Sequence, residues 1–455
     1  MHRMTSIIAA LAIAASPSAD VQEALADVRT IPSPATIRYV TVSHLPEQEQ
    51  AESRIALNYA LNAVSRSRVL VQVAWSGSLG RIDLASLAGA KSLPEVTQAW
   101  EKLLPAEPYW HLRTEVLNPT TGKKETVSTD GGWTGLEAVS LLRQATGSTV
   151  PLVRGDWLAL HLTTTLDGGV YYEFAGIPET EAAFFRAHGV DRTTVGALAA
   201  DTAANLVRSH VTHKSRRITH RQGPLGSVWS TKDTASEDPT RDAIRNPVDY
   251  REQKFVYDAS EHFAVRANGF WSVAIFDARG NRALAVPQAV ASDSHALDGI
   301  VQPILSCVRC HTRGGEAALQ SFNDDQFPLL TTTAVLKSYV PEVAQRVAEL
   351  YDPQRLGVRL DRDRFDHNAA VVRATGVDSR QAVEALAATC ARYQEHPVTL
   401  QVAARECGVE AEAFVQATQA SQDPHVLALR AGGETNRKQW ESSFAGAMLH
   451  VGGQP

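Results

Sequence analysis

Two cysteines and a histidine form the clearest chemical pattern in the sequence. Cys307, Cys310 and His311 make up Cys-x-x-Cys-His, the pattern through which c-type haem is attached. Two thiols three residues apart lie on one side of a turn and can add to the two vinyl groups at one haem edge. The histidine that follows can give the iron an imidazole nitrogen. The motif therefore predicts one covalent haem c, bound by Cys307 and Cys310, with His311 as the proximal ligand.

Two other interpretations of the cysteine pair are weaker. A Cys-x-x-Cys pair also occurs in thioredoxin-like redox proteins, where a βαβ context is expected. It can also form half of a zinc site, but Cys390 and Cys407 are 17 residues apart and do not make a matching second half. Neither alternative gives the following histidine a role, so haem attachment is favoured. The motif occurs once, which argues against a dihaem peroxidase.

The ligand on the opposite face of the iron is left open by the sequence. A methionine or second histidine there favours electron transfer, whereas an empty face lets small molecules bind. Met448 lies far beyond the motif, and a methionine near the end of a chain is more often a core residue than a haem ligand. His295 precedes the motif and could fold back on it. The remaining candidates are also histidines, and each is individually more typical of a core or surface residue than of an iron ligand: His262, His367 and His450.

The first residues have the pattern of an export signal. Arg3 precedes a short apolar stretch, Ile7 to Ala15, and small residues follow up to Ala19. This pattern predicts a signal peptide over residues 1–19, with cleavage between Ser16 and Asp20. The mature chain would then be periplasmic or secreted. In an oxidising compartment, the two remaining cysteines, Cys390 and Cys407, are expected to form a disulfide.

Composition narrows the classes of partner. The chain has 455 residues and a formal net charge of −6, which argues against nucleic-acid binding. It contains no apolar run of the roughly 18 residues that a membrane span requires. The expected partners are therefore a redox protein or a small electron donor or acceptor, whose identity the sequence leaves unknown.

Hydrophobic periodicity predicts an α+β fold that is predominantly helical. Helical spacing covers 47–66, 194–209 and 378–394, and short strands are predicted before the motif. A polar stretch over 223–250 is predicted to be a loop or linker. It would divide a mainly helical N-terminal region, 20–222, from a haem-carrying region, 251–455, that ends in helices.

A longer stretch around the motif resembles a group of known proteins. The segments Asn268–Val273, Asp277–Arg282 and Ser306–His311 are similar to those of large exported bacterial proteins that carry one c-type haem site. The resemblance implies haem attachment at Cys307 and Cys310 with His311 on the iron, within a large fold of its own. The chain differs from small cytochromes c in having no methionine at their usual distance from the motif.

These observations lead to two functional hypotheses. The first is a monohaem c-type cytochrome that transfers electrons in the periplasm. The alternative is a haem enzyme or small-ligand binder, acting on peroxide or a diatomic gas, with an open sixth coordination site. About 300 residues precede the motif, more than the hundred or so that a simple carrier needs, which is an argument for the alternative. The first hypothesis is nevertheless favoured, because nothing in the sequence forms a convincing acid–base site. A third interpretation makes the N-terminal region a separate binding module.

Overall fold

A computed structural model of the chain describes most of the sequence, including the motif itself and the residues that precede it. The described residues are 17–117, 124–130, 133, 137–190, 200–206, 214–243, 245–250, 255–311 and 336–452. Within these ranges, the side chains of residues 17, 18, 111–117, 124–130, 167, 206, 239, 310, 311 and 353 are not described.

The helices account for most of the regular structure. In chain order they are α1 (Pro17–Val28), α2 (Glu47–Val64), α3 (Leu84–Ala88), α4 (Leu93–Glu101), α5 (Glu137–Thr146), α6 (Gly155–His161), α7 (Val170–Ala175), α8 (Glu181–Ala187), α9 (Leu305–His311), α10 (Pro341–Leu350), α11 (Pro353–Thr375), α12 (Ser379–Glu395), α13 (Leu400–Glu406), α14 (Ala411–Ala417), α15 (Pro424–Arg430) and α16 (Arg437–Gly452).

The strands form three sheets. They are β1 (Ile37–Thr41), β2 (Ala74–Ser76), β3 (Leu79–Asp83), β4 (His111–Leu117), β5 (Lys124–Asp130), β6 (Leu152–Arg154), β7 (Thr202–Leu206), β8 (Arg216–Gly223), β9 (Gly226–Asp233), β10 (Ala259–Val265) and β11 (Trp271–Asp277). One sheet has the order β2-β3-β1-β6, and β4 pairs with β5. The third is an antiparallel meander from β7 to β11, in which each strand pairs with the next along the chain.

Local sequence explains where the long helices begin and end. Asp352 and Asp378 each accept a hydrogen bond from a backbone N–H in the first turn of α11 and α12, respectively. Gly376 ends α11 in the left-handed conformation, and Pro397 follows the end of α12. Both helices pack against the buried helix α2, and α12 also packs against α9. These contacts fix the position of the short helix that carries the motif.

The α+β prediction is confirmed, with helix exceeding strand, but two local predictions are wrong. Residues 226–233 form β9, so the predicted linker over 223–250 contains a central strand of the five-stranded sheet. Residues 202–206 form β7 rather than the end of a helix, and 191–199 and 207–213 lie outside the described residues. One hydrophobic core takes side chains from Val21 to Met448, on both sides of that predicted boundary.

The predicted export signal falls mostly outside the described residues. Residues 1–16 are not described, and α1 begins at Pro17. Asp20 is buried and accepts hydrogen bonds from the hydroxyls of Thr41 and Ser43, at 2.6 and 2.5 Å. Asp20 therefore belongs to the folded chain, and cleavage before it stays a prediction. Within the described residues, no helix is long and apolar enough to cross a membrane.

Candidate functional site

The Cys-x-x-Cys-His motif lies at the end of helix α9. The backbone N–H of Leu305 donates to the carbonyl of Thr163 at 3.0 Å, which anchors the start of the helix. Ile304, just before it, has a φ of +60°, a left-handed conformation that is unfavourable for a β-branched residue. Packing around the helix must therefore hold the chain in this turn. Positions 307, 310 and 311 follow i, i+3, i+4 spacing, which places them on one side of α9.

Cys307 is buried and bonded to an acidic side chain. Its side chain is 7% exposed, and its thiol donates a hydrogen bond to Glu261 Oε1 at 3.3 Å. Burial raises the pKa of Glu261, although the positive charge of Arg216 opposes the shift. Arg216 itself is held by Asp233 at 2.5 Å. Cys307 thus points into the protein, toward β10 of the five-stranded sheet.

A small aromatic cavity lies beside Cys307. Its volume is about 10 Å³, which is no more than one water molecule occupies. Its described lining is almost entirely apolar or aromatic, with one imidazole: Tyr59, Phe263, Trp271, Val273, Ile304, Cys307, Val308 and His367. The cavity gathers side chains from α2, β10, β11, α9 and α11.

His367 is the histidine that the fold brings beside Cys307. Its Nδ1 lies 3.1 Å from the carbonyl of Gly269 and its Nε2 lies 3.4 Å from the hydroxyl of Tyr59. The carbonyl requires the proton to be on Nδ1, so Nε2 is the basic nitrogen. Burial lowers the pKa of His367 to about 4, so the ring is neutral at pH 7. Sequence reasoning had no ground to prefer this histidine, because its separation from the motif carries no signal.

The other candidates for the sixth ligand lie elsewhere. His262 is fully buried, with Ser230 and Glu181 bonded to its two nitrogens at 2.8 and 2.9 Å. Met448, within α16, and His295 are both absent from the described lining of the small cavity. The carbonyl of His295 instead accepts a hydrogen bond from the Arg309 side chain. Arg309 follows Cys307 by two residues, so the two side chains project from α9 in directions about 200° apart around the helix axis. His450 lies near the end of α16.

A much larger cavity lies along the other side of α9. Its volume is about 490 Å³, within the range of roughly 300–1,000 Å³ typical of ligand sites. Helix α9 contributes Leu305, Ser306 and Arg309 to its wall, and α6 contributes His161. Residues 394–395 and the first turn of α16 complete much of the polar wall. Leu160, Leu166 and Leu297 make part of the wall apolar.

The groups that could bind a haem and the cavity that could hold one lie on different sides of α9 in the described packing. The thiol, the basic imidazole nitrogen of His367 and the aromatic rings suit a haem chemically. The cavity beside Cys307 has no room for a porphyrin, whereas the large cavity lies along the Arg309 side of the helix. With the side chains as they stand, the structure does not fit a haem at Cys307. Haem binding there requires α9 or the aromatic side chains to move.

The predicted disulfide between Cys390 and Cys407 is wrong. Both side chains are buried and both thiols are free. Cys390 lies 4.0 Å from the hydroxyl of Thr163, and burial raises the pKa of Cys390 to about 12. Cys390 lies within α12 and Cys407 directly follows α13, and each side chain is buried in the hydrophobic core. These thiols are core residues with low reactivity.

A buried ionic cluster is the feature that sequence reasoning missed. Arg154 contacts Asp156 at 2.6 Å and Glu406 at 2.7 Å, and Arg437 contacts Glu406 at 2.8 Å. His44 lies 3.2 Å from Asp156. Burial opposes ionisation of Glu406, but the two guanidinium groups outweigh it and lower its pKa to about 2. The five residues come from four distant parts of the chain, so no local motif could reveal them.

A search for metal-binding groups and three comparisons with known proteins gave no match. Among the described residues, no group of three or more His, Cys, Asp or Glu side chains could hold a metal ion. Protein-family models, curated proteins and solved structures were compared with the chain, and none matches it.

Proposed function

We propose that this chain is a monohaem c-type cytochrome that transfers electrons in the periplasm or outside the cell. The observation that carries the proposal is the Cys307-x-x-Cys310-His311 motif, whose three positions share one side of helix α9. Cys307 and Cys310 would hold the haem, and His311 would be its proximal ligand. When bound, the haem supplies a one-electron iron couple.

The surroundings of Cys307 support a low-polarity site. Tyr59, Phe263 and Trp271 place aromatic rings around the cysteine, and burial of a haem among such groups is one means of setting its potential. The cavity beside Cys307 has room for about one water molecule, so a haem there would need the surrounding side chains to separate. We therefore expect the loaded protein to differ from the described packing around α9, with Cys307 withdrawn from Glu261.

A haem enzyme or small-ligand binder is the second candidate. The cavity of about 490 Å³ beside α9 favours it, because a simple electron carrier needs no ligand-sized space next to its attachment helix. Arg309, His161 and Tyr393 would supply polar groups in that space. This candidate requires an iron with an open sixth position.

Absorption spectra of the protein matured with haem distinguish the two candidates. For an electron carrier we expect a low-spin spectrum that carbon monoxide leaves unchanged in the reduced protein. A high-spin spectrum that shifts with carbon monoxide would favour the second candidate. The variants Cys307→Ala and Cys310→Ala should each lose one thioether bond, whereas Cys390→Ala, a matched cysteine outside the motif, should keep both. Covalent haem in a chain lacking both Cys307 and Cys310 would contradict the two candidates together.

A further inference from the structure

A third cavity adjoins the buried ionic cluster. Its volume is about 130 Å³, more than ten times that of the small cavity beside Cys307, which leaves room for several water molecules or a small ligand. Its described lining is rich in charged and polar groups: His44, Leu45, Glu49, Ser53, Arg154, Asp156, Thr389, Arg392, Tyr393, His396, Pro397, Val402, Arg405, Glu406 and Arg437. No residue of helix α9 belongs to this described lining, so the cavity is distinct from the candidate haem site.

The inner wall of the cavity is electrically balanced. Arg154 and Arg437 face Asp156 and Glu406, and all four side chains are at least nine-tenths buried. The pKa of Asp156 is well below its ordinary value because the charge of Arg154 outweighs the effect of burial. Both acids are therefore ionised, and two positive charges meet two negative ones. This wall provides a rigid, polar floor without a net charge.

The outer wall contains one guanidinium group without an ion-pair partner among the described residues. Arg392 is paired, since it lies 3.6 Å from Glu49 and 2.6 Å from Glu52. Arg405 lines the cavity and forms no ion pair within the described part of the chain. Glu49 and Glu52 both pair with Arg392, so the four guanidinium groups of the described lining are balanced by four carboxylates when Glu52 is included. Arg405 is the guanidinium group of this described lining that no carboxylate contacts.

Two hydroxyl groups in the wall lack partners. Ser53 and Thr389 are almost fully buried, and neither hydroxyl has a hydrogen-bond partner among the described residues. A buried polar group without a partner costs about 1–3 kcal/mol, so folded proteins rarely leave one unsatisfied. The Nε of Arg405 is also buried and has no hydrogen-bond partner among the described residues. All three groups are hydrogen-bond donors, and each could be satisfied by an acceptor in the cavity.

We propose that this cavity binds a small oxyanion, a carboxylate or an inorganic anion with a few heavy atoms. Guanidinium groups bind carboxylate and phosphate oxygens through paired hydrogen bonds, and hydroxyls can complete the set of donors. Arg405 supplies the charge, and Ser53 and Thr389 supply neutral donors. His396 is exposed at the edge of the cavity, which marks the side from which the anion enters. The proposal is independent of haem and goes beyond electron transfer.

Isothermal titration with acetate, phosphate and sulfate, each at an ionic strength fixed with chloride, tests the site in the full-length mature protein. We expect at least one of these anions to bind saturably with one site per chain. Arg405→Gln should weaken that binding at least tenfold. Arg380→Gln is the matched control, because Arg380 is an exposed arginine at the far end of α12, paired with Glu384. It should leave binding unchanged.

Thr389→Val provides a second variant that does not remove charge. Because the Thr389 hydroxyl has no described partner, its loss should leave the unliganded melting temperature unchanged or higher, while reducing the anion-dependent rise. The absence of saturable binding by all three anions would overturn the proposal and leave a water-filled cavity. Equal affinity in the wild type and Arg405→Gln would overturn it as well. A preference for acetate would indicate a carboxylate as the ligand of this cavity, and a preference for phosphate or sulfate would indicate a tetrahedral anion.

Discussion

Cys307 and Glu261 form a hydrogen-bonded pair in the interior. Thioether formation removes the thiol hydrogen, so Glu261 loses this donor when haem is attached. The cysteine is also packed among Ile304 and Val308, which leaves its thiol little contact with solvent. The described packing therefore shields the thiol that the proposed function requires to react. Attachment must take place while α9 is displaced or before the core closes around it.

Thiol labelling measures that protection. In the haem-free chain at neutral pH, we expect Cys307 to react with iodoacetamide far more slowly than in urea, because the buried thiol is shielded from the reagent. Peptide mapping by mass spectrometry gives the rate for each cysteine. Cys390 and Cys407 serve as internal controls, since both are buried. Native labelling of Cys307 as fast as in urea would contradict the described packing.

Removal of one charge from the ionic cluster should have a large effect. Glu406→Gln leaves Arg154 and Arg437 short of a counter-charge in the interior, so we expect a loss of about 3–5 kcal/mol in the free energy of unfolding. Urea denaturation gives this value. Glu412→Gln, at an exposed position on the neighbouring helix α14, should change it by less than about 0.5 kcal/mol. Equal stabilities of the two variants would show that the cluster does not contribute as described.

The predictions from sequence succeeded best for elements with a strong period. The helix predicted over 378–394 is α12 at Ser379–Glu395, because its apolar residues and its Asp378 cap agree. The sequence predicts a loop where the structure has strand β9, because Ser227, Ser230 and Thr231 are polar residues typical of loops. Its neighbours β8 and β10 form the hydrogen bonds and packing that override this weak local preference.

The candidate site was only partly predictable for a related reason. The motif residues are adjacent in sequence, so their chemistry was recognisable. His367, Glu261 and Tyr59 approach Cys307 only through the packing of α11, β10 and α2. Distance along the chain carries no information about such contacts. The expected disulfide failed for the same reason, because helical spacing placed Cys390 and Cys407 in the core without bringing their sulfur atoms together.

The strands and helices bury histidines whose titration should control stability in mild acid. Burial lowers the pKa of His188, on the turn after α8, and of His220, in β8, to about 4. In the unfolded chain these groups bind protons near pH 6.5, so stability is retained above that pH and lost as pH falls from 6.5 toward 4. We expect each to contribute about 1–3 kcal/mol over this window.

His220→Gln isolates one of these contributions. The variant should show a shallower loss of unfolding free energy between pH 6.5 and 4 than the wild type, whatever its stability at neutral pH. Chemical denaturation at several pH values gives the slope. A slope identical to that of the wild type would mean that His220 does not remain neutral in the folded protein.

A single hydrophobic core joins the two regions, 20–222 and 251–455, that the sequence predicts to be separate. Tyr171 donates to the carbonyl of Val273 at 2.9 Å, and Arg266 donates to the carbonyl of Ser65 at 2.9 Å. The meander that begins at β7 is completed by β10 and β11. An N-terminal fragment would thus expose the surface that these strands cover.

A truncation tests this dependence. Residues 20–222 expressed alone should fail to unfold cooperatively and should be digested rapidly by protease, because β8 would lack its partner β9. The full mature chain under the same conditions is the control, and circular dichroism with limited proteolysis gives both readouts. A fragment with a sharp thermal transition would instead support an N-terminal module that folds separately.

The most direct test of the proposed function is to locate the haem on the peptides of the matured protein. Trypsin cuts after Arg309, between the two motif cysteines, and so separates residues 283–309 from residues 310–313. If one haem is bonded to both Cys307 and Cys310, mass spectrometry will find these two peptides joined through a single haem. If they are recovered separately with unmodified thiols from a folded chain produced with haem-attachment machinery, the protein is not a c-type cytochrome.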